Sequence, residues 1–519
     1  MTRRTLTLLS VLAVGALGAV GCGSAQKDAS STTASGDTQT LRIPYLADMS
    51  VPDPDVFYDI EGNAVILNQY EGLLKYKEGT LELAPNLAKS WKVSSDGLTY
   101  TFTLQDGVTF HDGSKMTCNS VKAAFQRRLD VDQAPAYMLK DVKSMTCDGN
   151  ELTITLKSKV QPFLHYMASS WGPKVIGPEA IKENAGKDYG QKWLQTHGDG
   201  TGPYKLTSFK RGSSYVLTRN DDYWGTPANF QKIVISITPD MGTQRLKLEK
   251  GDFDAILHGF PASELESLPD NITVDKQDSL LRLIMYVNSN KAPFNDPAVR
   301  AGLGSTIDID QLVEQGYSDT AEPAKGIYPP GLLPGEPPLP YKVDPAKAKA
   351  AADKAKTKKI TLGYSADESG VQRRVGELLQ AQLKPAGYDV TIKEVQLPQV
   401  YGYIENLKDA PDLLLMTNTP DGAHPDLWAR IMFYSTGGLN FLGAQNKQID
   451  ANLDEALSAP DDKANALYKR VAQEVIDDNQ FFLLGDVKNV FVMSNSLQNV
   501  QNTPAYPWLI DMAAVKRGN

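Results

Sequence analysis

The chain has 519 residues, of which 41% are hydrophobic and 22% charged, and its formal net charge at pH 7 is -9. This is the composition of a globular protein, and the length exceeds one ordinary core, so two to four domains are expected. The negative charge argues against a protein that binds nucleic acid without specificity, because such binding needs a basic face.

The first 40 residues have the pattern of an export signal followed by polar sequence. Arg3 and Arg4 precede an apolar stretch from Leu6 to Val20, and Gly21 and Cys22 follow it. A basic start, a short apolar segment and small residues at a junction are typical of a secretory signal. About 15 apolar residues are too few for a transmembrane helix, which takes about 20. Both the general and the twin-arginine export routes stay open, and the Arg pair before Thr5 and Leu6 favours the latter.

We therefore predict a lipoprotein signal peptide over 1–21, with lipid attached to Cys22. Residues 22–40 are predicted to form a flexible tether, because they contain almost no large apolar side chain that could pack. These features place the protein outside the cytoplasm, anchored by lipid to the outer face of the cytoplasmic membrane. Ordinary secretion with an incidental Cys22 is the alternative.

Beyond the tether, strand and helix patterns alternate irregularly, which predicts a mixed α/β protein. Strands are predicted at 99–104, 151–156, 233–237 and 281–287. Helices are predicted at 119–129, 298–316, 345–359 and 370–385. The proline-rich stretch 321–341 is predicted to be extended surface chain rather than helix.

Two cysteines remain besides Cys22, namely Cys118 and Cys147. An extracytoplasmic protein can keep disulfides, so we predict that these two are bonded. Two reduced, buried thiols are the alternative.

Motifs for catalysis or metal binding do not occur in this sequence. The histidines are far apart, and neither an HExxH motif, a cysteine-pair metal site, a Gly-x-Ser-x-Gly elbow nor a Walker loop is found. We therefore expect no enzyme activity, no metal and no cofactor. A secreted hydrolase, whose reactive residues meet only in the fold, is one alternative from another class, and a structural envelope protein is a second. The 22 tyrosines suit contact with a small organic ligand.

A series of short motifs then appears in a fixed order. They are YEGL at 70–73, PNLA at 85–88 with Trp91, VSSDGLTYTFTL at 93–104, DGVTFHDG at 106–113, GTGPY at 200–204, RNDDYW at 219–224, GDFDA at 251–255, Asn288 with PFNDP at 293–297, and NKQIDANLDEAL at 446–457. Together these segments resemble family 5 of the extracellular solute-binding proteins of ABC importers, which contains dipeptide, oligopeptide and nickel binders. Within them, Asp96 and Gly97 predict a tight hairpin turn, and His111 is interpreted as structural.

The resemblance implies a two-lobe periplasmic-binding-protein-like α/β fold of class II, in the large cluster with an extra subdomain on the first lobe. The first lobe would comprise 41–283 plus 483–519, with the extra subdomain at about 82–200, and the second lobe 284–482. A solute would bind in the cleft, and the lobes would close around it by a hinge motion.

Peptide-binding members of the family hold the ligand's α-amine with an Asp in the second lobe. The corresponding stretch here is 417–428, in which Asp421 is the candidate amine partner, because a desolvated ammonium needs an opposing charge. An N-cap or turn role ahead of the helix that contains Trp428 is the alternative for Asp421. The weaker candidates for cleft-lining residues are Trp428, Asn440, Tyr70, Tyr223 and Asn418.

The sequence thus predicts a monomeric, lipid-anchored receptor that delivers a peptide-like solute to an ABC permease and its ATPase. The same role with another cargo, such as a metal chelate, a sugar or a modified amino compound, is the main alternative.

Overall fold

The computed structural model describes residues 38–366 and 369–518 of the chain. The predicted signal peptide over 1–21, the predicted lipid site Cys22 and tether residues 22–37 lie outside the described residues. The last residues of the predicted tether are ordered, because Thr40 already begins a strand.

The first sheet assembles distant segments of the chain. Its strands are, from edge to edge, Thr40–Tyr45, Lys232–Ile237, Ser214–Arg219 and Tyr204–Lys210. The Thr40–Tyr45 strand runs parallel to Lys232–Ile237, and the other neighbours are antiparallel. The strand predicted at 233–237 is confirmed, and its Ile233 and Ile235 are buried on one face, as the period of a strand requires.

A second, antiparallel sheet lies within the region predicted as the extra subdomain. Its strands are, in order, Ala88–Val93, Thr99–Leu104, Glu151–Leu156 and Val142–Asp148. The strands predicted at 99–104 and 151–156 are confirmed. In the turn between the first pair of strands, Gly97 has φ +70°, and the Asp96 carboxylate accepts hydrogen bonds from the Leu98 N–H and the Ser94 hydroxyl, so the predicted turn chemistry is confirmed.

A disulfide joins this sheet to the helix that packs on it. The helix Cys118–Val131 confirms the prediction at 119–129 and begins with a capping box between Thr117 and Ser120. Cys118 at its start is bonded to Cys147 in the Val142–Asp148 strand, with Cα atoms 5.8 Å apart.

The largest sheet is organised around a pair of long antiparallel strands, Ile272–Val287 and Phe481–Ser494. Its order is Ala255–Ile256, Phe481–Ser494, Ile272–Val287, Leu413–Asn418, Lys359–Ser365 and Asp389–Val395, and Ala321–Pro323 also pairs with Phe481–Ser494. The register between the long strands shifts at Gln277/Leu281 and at Leu283/Ile284. The lobe boundaries predicted at 283/284 and 482/483 fall inside these long strands and stay predictions.

The helices occupy both halves of the chain. Before residue 290 they are Asn63–Gln69, Cys118–Val131, Phe163–Ala168, Pro178–Asn184, Gln191–Leu194 and Met241–Glu249. After it they are Pro297–Leu303, Ile309–Tyr317, Pro345–Ala352, Val371–Leu383, Leu397–Gly402, Pro425–Phe433, Lys447–Ser458 and Asp461–Asp478. Short 3-10 turns lie at Ala134–Leu139, Ala262–Ser267, Ser318–Thr320, Lys384–Ala386 and Tyr403–Glu405. Short strands pair as Leu74–Tyr76 with Leu83–Pro85 and as Leu497–Gln498 with Lys516–Arg517.

Two helix predictions were wrong in extent. The segment 298–316 is split, because Asp308 caps a new helix by accepting a hydrogen bond from the Gln311 N–H. The helix predicted over 345–359 ends at Ala352, since Lys359 already pairs in the large sheet. The helix predicted over 370–385 is confirmed as Val371–Leu383.

The proline-rich stretch 321–341 avoids helix as predicted, but its description as surface chain was wrong. Ile327 and Tyr328 are buried, and their backbone N–H groups donate to the Glu336 carboxylate at 2.7 and 3.0 Å. The Tyr328 hydroxyl donates to the Tyr468 carbonyl at 3.1 Å. Proline stops the helix, but the apolar side chains between the prolines still pack in the core.

These sheets and helices form the mixed α/β fold that the alternation of strand and helix patterns predicts. None of the helices in the described part of the chain has both the length and the apolarity that crossing a bilayer requires.

Replacing both Cys118 and Cys147 by Ser should lower the free energy of unfolding by about 3 kcal/mol, because the bond closes a loop in the unfolded chain. Urea unfolding of the double variant beside the wild type measures this difference. Peptide mapping without reductant provides the independent check: recovery of both cysteines as free thiols in the wild type would contradict the bond.

Candidate functional site

A buried carboxylate joins motifs that are far apart in the sequence. The Glu71 carboxylate of YEGL accepts hydrogen bonds from Thr201 Oγ1 at 2.8 Å, Tyr223 Oη at 2.9 Å and Trp224 Nε1 at 2.9 Å. Burial raises the pKa of Glu71, and these hydrogen bonds oppose that shift. The side chains of this Glu71 cluster therefore hold the first half of the chain together.

His111 has a similar structural position. Its Nδ1 accepts from the Gly200 N–H at 3.2 Å, which leaves Nε2 to donate to the Gly202 carbonyl at 3.0 Å. Burial lowers the pKa of His111 to about 4, so the ring stays neutral. These contacts support the structural interpretation of His111.

Tyr70 and Tyr223 line a cavity of about 610 Å³. All of its lining residues come from 67–105, Lys174, 203–229 and 499–514. The Tyr223 hydroxyl is engaged by Glu71, and the Tyr70 hydroxyl is buried without a hydrogen bond in the described structure. The prediction that these tyrosines line the same cleft as Asp421 is therefore not supported by their positions.

Asp421 lies where three distant parts of the chain meet. Its Oδ2 accepts hydrogen bonds from the hydroxyls of Tyr58 and Tyr137, each at 2.5 Å. Asp421 is 5% exposed, whereas Tyr58 is 38% exposed and therefore forms the solvent-facing side of the site. Asp421 follows shortly after the strand Leu413–Asn418, so its position is fixed by the large sheet to which this strand belongs.

The Asp421 carboxylate has no cationic partner among the described residues. No Lys, Arg or His nitrogen there lies within ion-pair distance of it, and its Oδ1 makes no hydrogen bond to them. Burial raises the pKa of Asp421 to about 6, and the hydrogen bonds from Tyr137 and Tyr58 limit that rise. A buried carboxylate without a counterion is costly and favours a positively charged ligand.

Aromatic side chains surround this carboxylate. Trp171 packs edge-on against the Tyr58 ring at 5.8 Å, and its Nε1 donates to the Asp59 carbonyl at 2.8 Å. Tyr166 packs edge-on against the Tyr137 ring at 5.6 Å. Such rings provide apolar contact area around a charged centre, which suits a small organic solute.

Of the alternative roles of Asp421, the N-cap was wrong, and the turn role stays a prediction. The helix Pro425–Phe433 is capped by His424, whose Nδ1 accepts from the Asp426 N–H at 3.1 Å. Asp426 is itself engaged by Arg430, with Nε and Oδ1 2.9 Å apart. Asp421 thus remains available for a ligand.

The remaining predicted cleft residues have structural positions instead. Trp428 is 0% exposed, and its Nε1 donates to the Ile327 carbonyl at 2.9 Å, so these contacts account for its side chain, and its place in the cleft stays a prediction. The Asn440 amide donates to the Tyr434 and Ala444 carbonyls of its own loop at 3.1 and 2.8 Å, and its place in the cleft also stays a prediction.

Asn418 is buried near the end of its strand, where its Nδ2 donates to the Tyr286 hydroxyl at 2.8 Å. This hydrogen bond connects neighbouring strands of the large sheet, and it accounts for the Asn418 side chain without a ligand.

Sequence reasoning missed Tyr58 and Tyr137. They are 363 and 284 positions away from Asp421, respectively, and neither lies in one of the recognised motifs. Only the fold brings them to the carboxylate. The described residues contain no cluster of three or more His, Cys, Asp or Glu side chains that could hold a metal ion.

Comparison with known proteins agrees with this architecture. The family model described as "Bacterial extracellular solute-binding proteins, family 5 Middle" matches residues 82–440. The chain is 28% identical to the probable D,D-dipeptide-binding periplasmic protein of Escherichia coli, over 88% of this chain and 90% of that protein. It is 27% identical to the nickel-binding periplasmic protein of E. coli, over 84% of this chain and 87% of the relative.

A solved structure of a periplasmic binding protein has the same two-lobe α/β fold as this chain, as the sequence predicted. The ABC transporter-associated periplasmic binding protein of Helicobacter pylori, in complex with the peptide STSA, superposes with a TM-score of 0.80 at 24% identity. The match covers 92% of this chain and 98% of that one.

The raised pKa of Asp421 predicts a pH-dependent stability. Because this pKa is higher in the folded than in the unfolded chain, the folded state takes up the proton first as the pH falls. The carboxylate therefore destabilises the fold fully above about pH 6, and this penalty, on the order of 3 kcal/mol, disappears towards pH 4.

Asp421→Asn should accordingly become more stable than the wild type as the pH rises from 4 to 7, measured as the difference in Tm without ligand. Asp462→Asn, at an exposed carboxylate, is the matched control and should show a constant difference. A constant difference for Asp421→Asn as well would contradict the raised pKa.

Proposed function

The chain belongs to family 5 of the bacterial extracellular solute-binding proteins, and we propose that its cargo is a peptide-like solute with a free amine, bound at Asp421. It is a solute-binding protein of an ABC importer. Members of the family are binding proteins rather than enzymes, and its homologues are periplasmic. The cargo and the residues that hold it are the proposed part.

The observation that carries this proposal is the charge at Asp421. The carboxylate is buried, it has no cationic partner in the described residues, and its Oδ1 makes no hydrogen bond to them. An ammonium group of the cargo would supply the missing charge and a donor for Oδ1. Tyr58 and Tyr137 would keep Oδ2 hydrogen-bonded both in the presence and in the absence of the cargo ammonium.

The position of Asp421 supports a role in closure. Tyr58 and Tyr137 belong to the predicted first lobe and Asp421 to the predicted second lobe, so their hydrogen bonds join the lobes across the cleft. A cargo ammonium at Asp421 would add contacts that exist only when the lobes are together. Differential contacts of this kind shift a hinged protein towards its closed form.

A peptide-like cargo fits this site better than a bare metal ion. The D,D-dipeptide-binding relative binds a ligand of this class. The nickel-binding relative favours a metal chelate as the second candidate, and such a complex would contact the aromatic side chains through its organic part.

We also propose that the protein is a monomer anchored by lipid at Cys22 to the outer face of the cytoplasmic membrane. Residues 22–37 would then act as the tether between the lipid and the folded body, which begins near Thr40. From this position the closed protein would deliver its solute to the permease.

Asp421→Ala should weaken binding of the dipeptide alanyl-alanine at least tenfold, because the ammonium loses its opposing charge. Isothermal titration calorimetry of the wild type and the variant measures the change. N-acetylated alanyl-alanine, which has no ammonium, should bind both proteins equally weakly, and Asp462→Asn should bind like the wild type. Equal affinity of the wild type for the free and the acetylated dipeptide would contradict the amine-binding role.

The same affinity should depend on pH. The dipeptide amine stays protonated below pH 7, whereas the Asp421 carboxylate takes up a proton as the pH falls through about 6. The dissociation constant should therefore rise about tenfold for each pH unit below 5, since each unit removes nine-tenths of the charged form. Titrations from pH 7 to 4 test this, and Asp421→Asn should show no such slope.

A further inference from the structure

A buried guanidinium lies behind the aromatic side chains of the site. Arg128, in the last turn of the helix Cys118–Val131, is 0% exposed. Its Nη2 donates to the Pro54 carbonyl at 2.7 Å, and its Nη1 donates to the Trp171 carbonyl at 2.7 Å and the Pro135 carbonyl at 3.4 Å. Its Nε donates to Asp55 Oδ1 at 2.8 Å.

Each of these carbonyls belongs to a segment that carries an aromatic side chain of the site. Pro54 shortly precedes Tyr58, Pro135 shortly precedes Tyr137, and Trp171 contacts the Tyr58 ring directly. The segments are remote in sequence and share no strand pairing in the described structure. Arg128 therefore contacts all three segments through a single rigid group.

We propose that Arg128 is the positioning residue of this site, whose guanidinium fixes the hydroxyls of Tyr58 and Tyr137 at the distance that Asp421 requires. The planar fork of an Arg donates in several fixed directions at once, which a Lys ammonium cannot reproduce. Asp55 supplies the opposing charge that keeps the buried guanidinium ionised. The effect of Arg128 on cargo binding rests on the proposed function, whereas its effect on the positions of the two tyrosines does not.

The adjacent Arg127 provides a matched control. It lies on the same helix and, like Arg128, pairs with Asp55, at 2.5 Å. It also pairs with Asp53 at 2.7 Å. Its Nε donates to the Tyr189 carbonyl at 2.8 Å, and it makes no hydrogen bond to the carbonyls that Arg128 holds. Arg127→Lys thus perturbs the same ion cluster but leaves the three segments connected.

The first test does not depend on any cargo. Protein labelled with 3-fluorotyrosine is studied by 19F NMR, and the resonances of Tyr58 and Tyr137 are assigned with the Tyr58→Phe and Tyr137→Phe variants. In the wild type, Asp421→Asn should shift both resonances. In Arg127→Lys the same response should persist, whereas in Arg128→Lys at least one resonance should no longer respond. Full responses in Arg128→Lys would overturn the proposal.

Arg128→Lys is first checked for folding by its thermal transition. If it does not fold, Arg128→Gln replaces it, because one amide group cannot donate to the Pro54, Pro135 and Trp171 carbonyls at once. A reduced response of the tyrosine resonances to Asp421→Asn is then expected, and an undiminished response would overturn the proposal.

The second test uses the cargo. Arg128→Lys should lower the preference for alanyl-alanine over its N-acetylated form at least tenfold, whereas Arg127→Lys should keep it. A loss of general stability would weaken both ligands alike and leave this ratio unchanged, which would overturn the positioning role. If the wild type itself shows no preference, the proposed function fails, and the NMR result alone decides the role of Arg128.

Discussion

The proposed binding site depends on a buried negative charge, the Asp421 carboxylate, that the described protein residues do not neutralise. Two other buried carboxylates are satisfied by protein side chains: Glu71 receives hydrogen bonds from three side chains, and Asp55 is paired with Arg127 and Arg128. Asp421 has only neutral tyrosine hydroxyls around it. Because burying a charge without a counterion costs free energy, this environment favours the amine-bearing cargo that we propose.

The two kinds of buried charge have different consequences. The hydrogen bonds to Glu71 are complete without a ligand, so that cluster stabilises the scaffold whether or not cargo is present. The Asp421 carboxylate has no cationic partner among the described residues, so the proposed cargo would change the free energy of this site when it binds. The Arg128 guanidinium connects the scaffold to the Asp421 site. Its hydrogen bonds are all to scaffold groups, and through them it sets the positions of Tyr58 and Tyr137 beside Asp421.

Much of the fold could be predicted from local sequence. The alternation at 99–104 and the helical spacing at 119–129 both gave the right element, because a half-buried strand and an amphipathic helix impose different periods. The errors came from tertiary context. Lys359 lies in a sheet because the strand Asp389–Val395 pairs with it, and Ile327 is buried beside the distant Trp428, whose Nε1 donates to its carbonyl.

The sequence by itself determined the family, because its motifs are local properties of the chain, and the resemblance to peptide-binding members of that family singled out Asp421. It also identified the candidate disulfide cysteines, Cys118 and Cys147. Only the tertiary structure decided which side chains surround Asp421: it brought Tyr58 and Tyr137 there from hundreds of positions away and placed Trp428 in the interior. Contacts between distant segments depend on packing between sheets and helices, and this packing cannot be predicted from local sequence patterns.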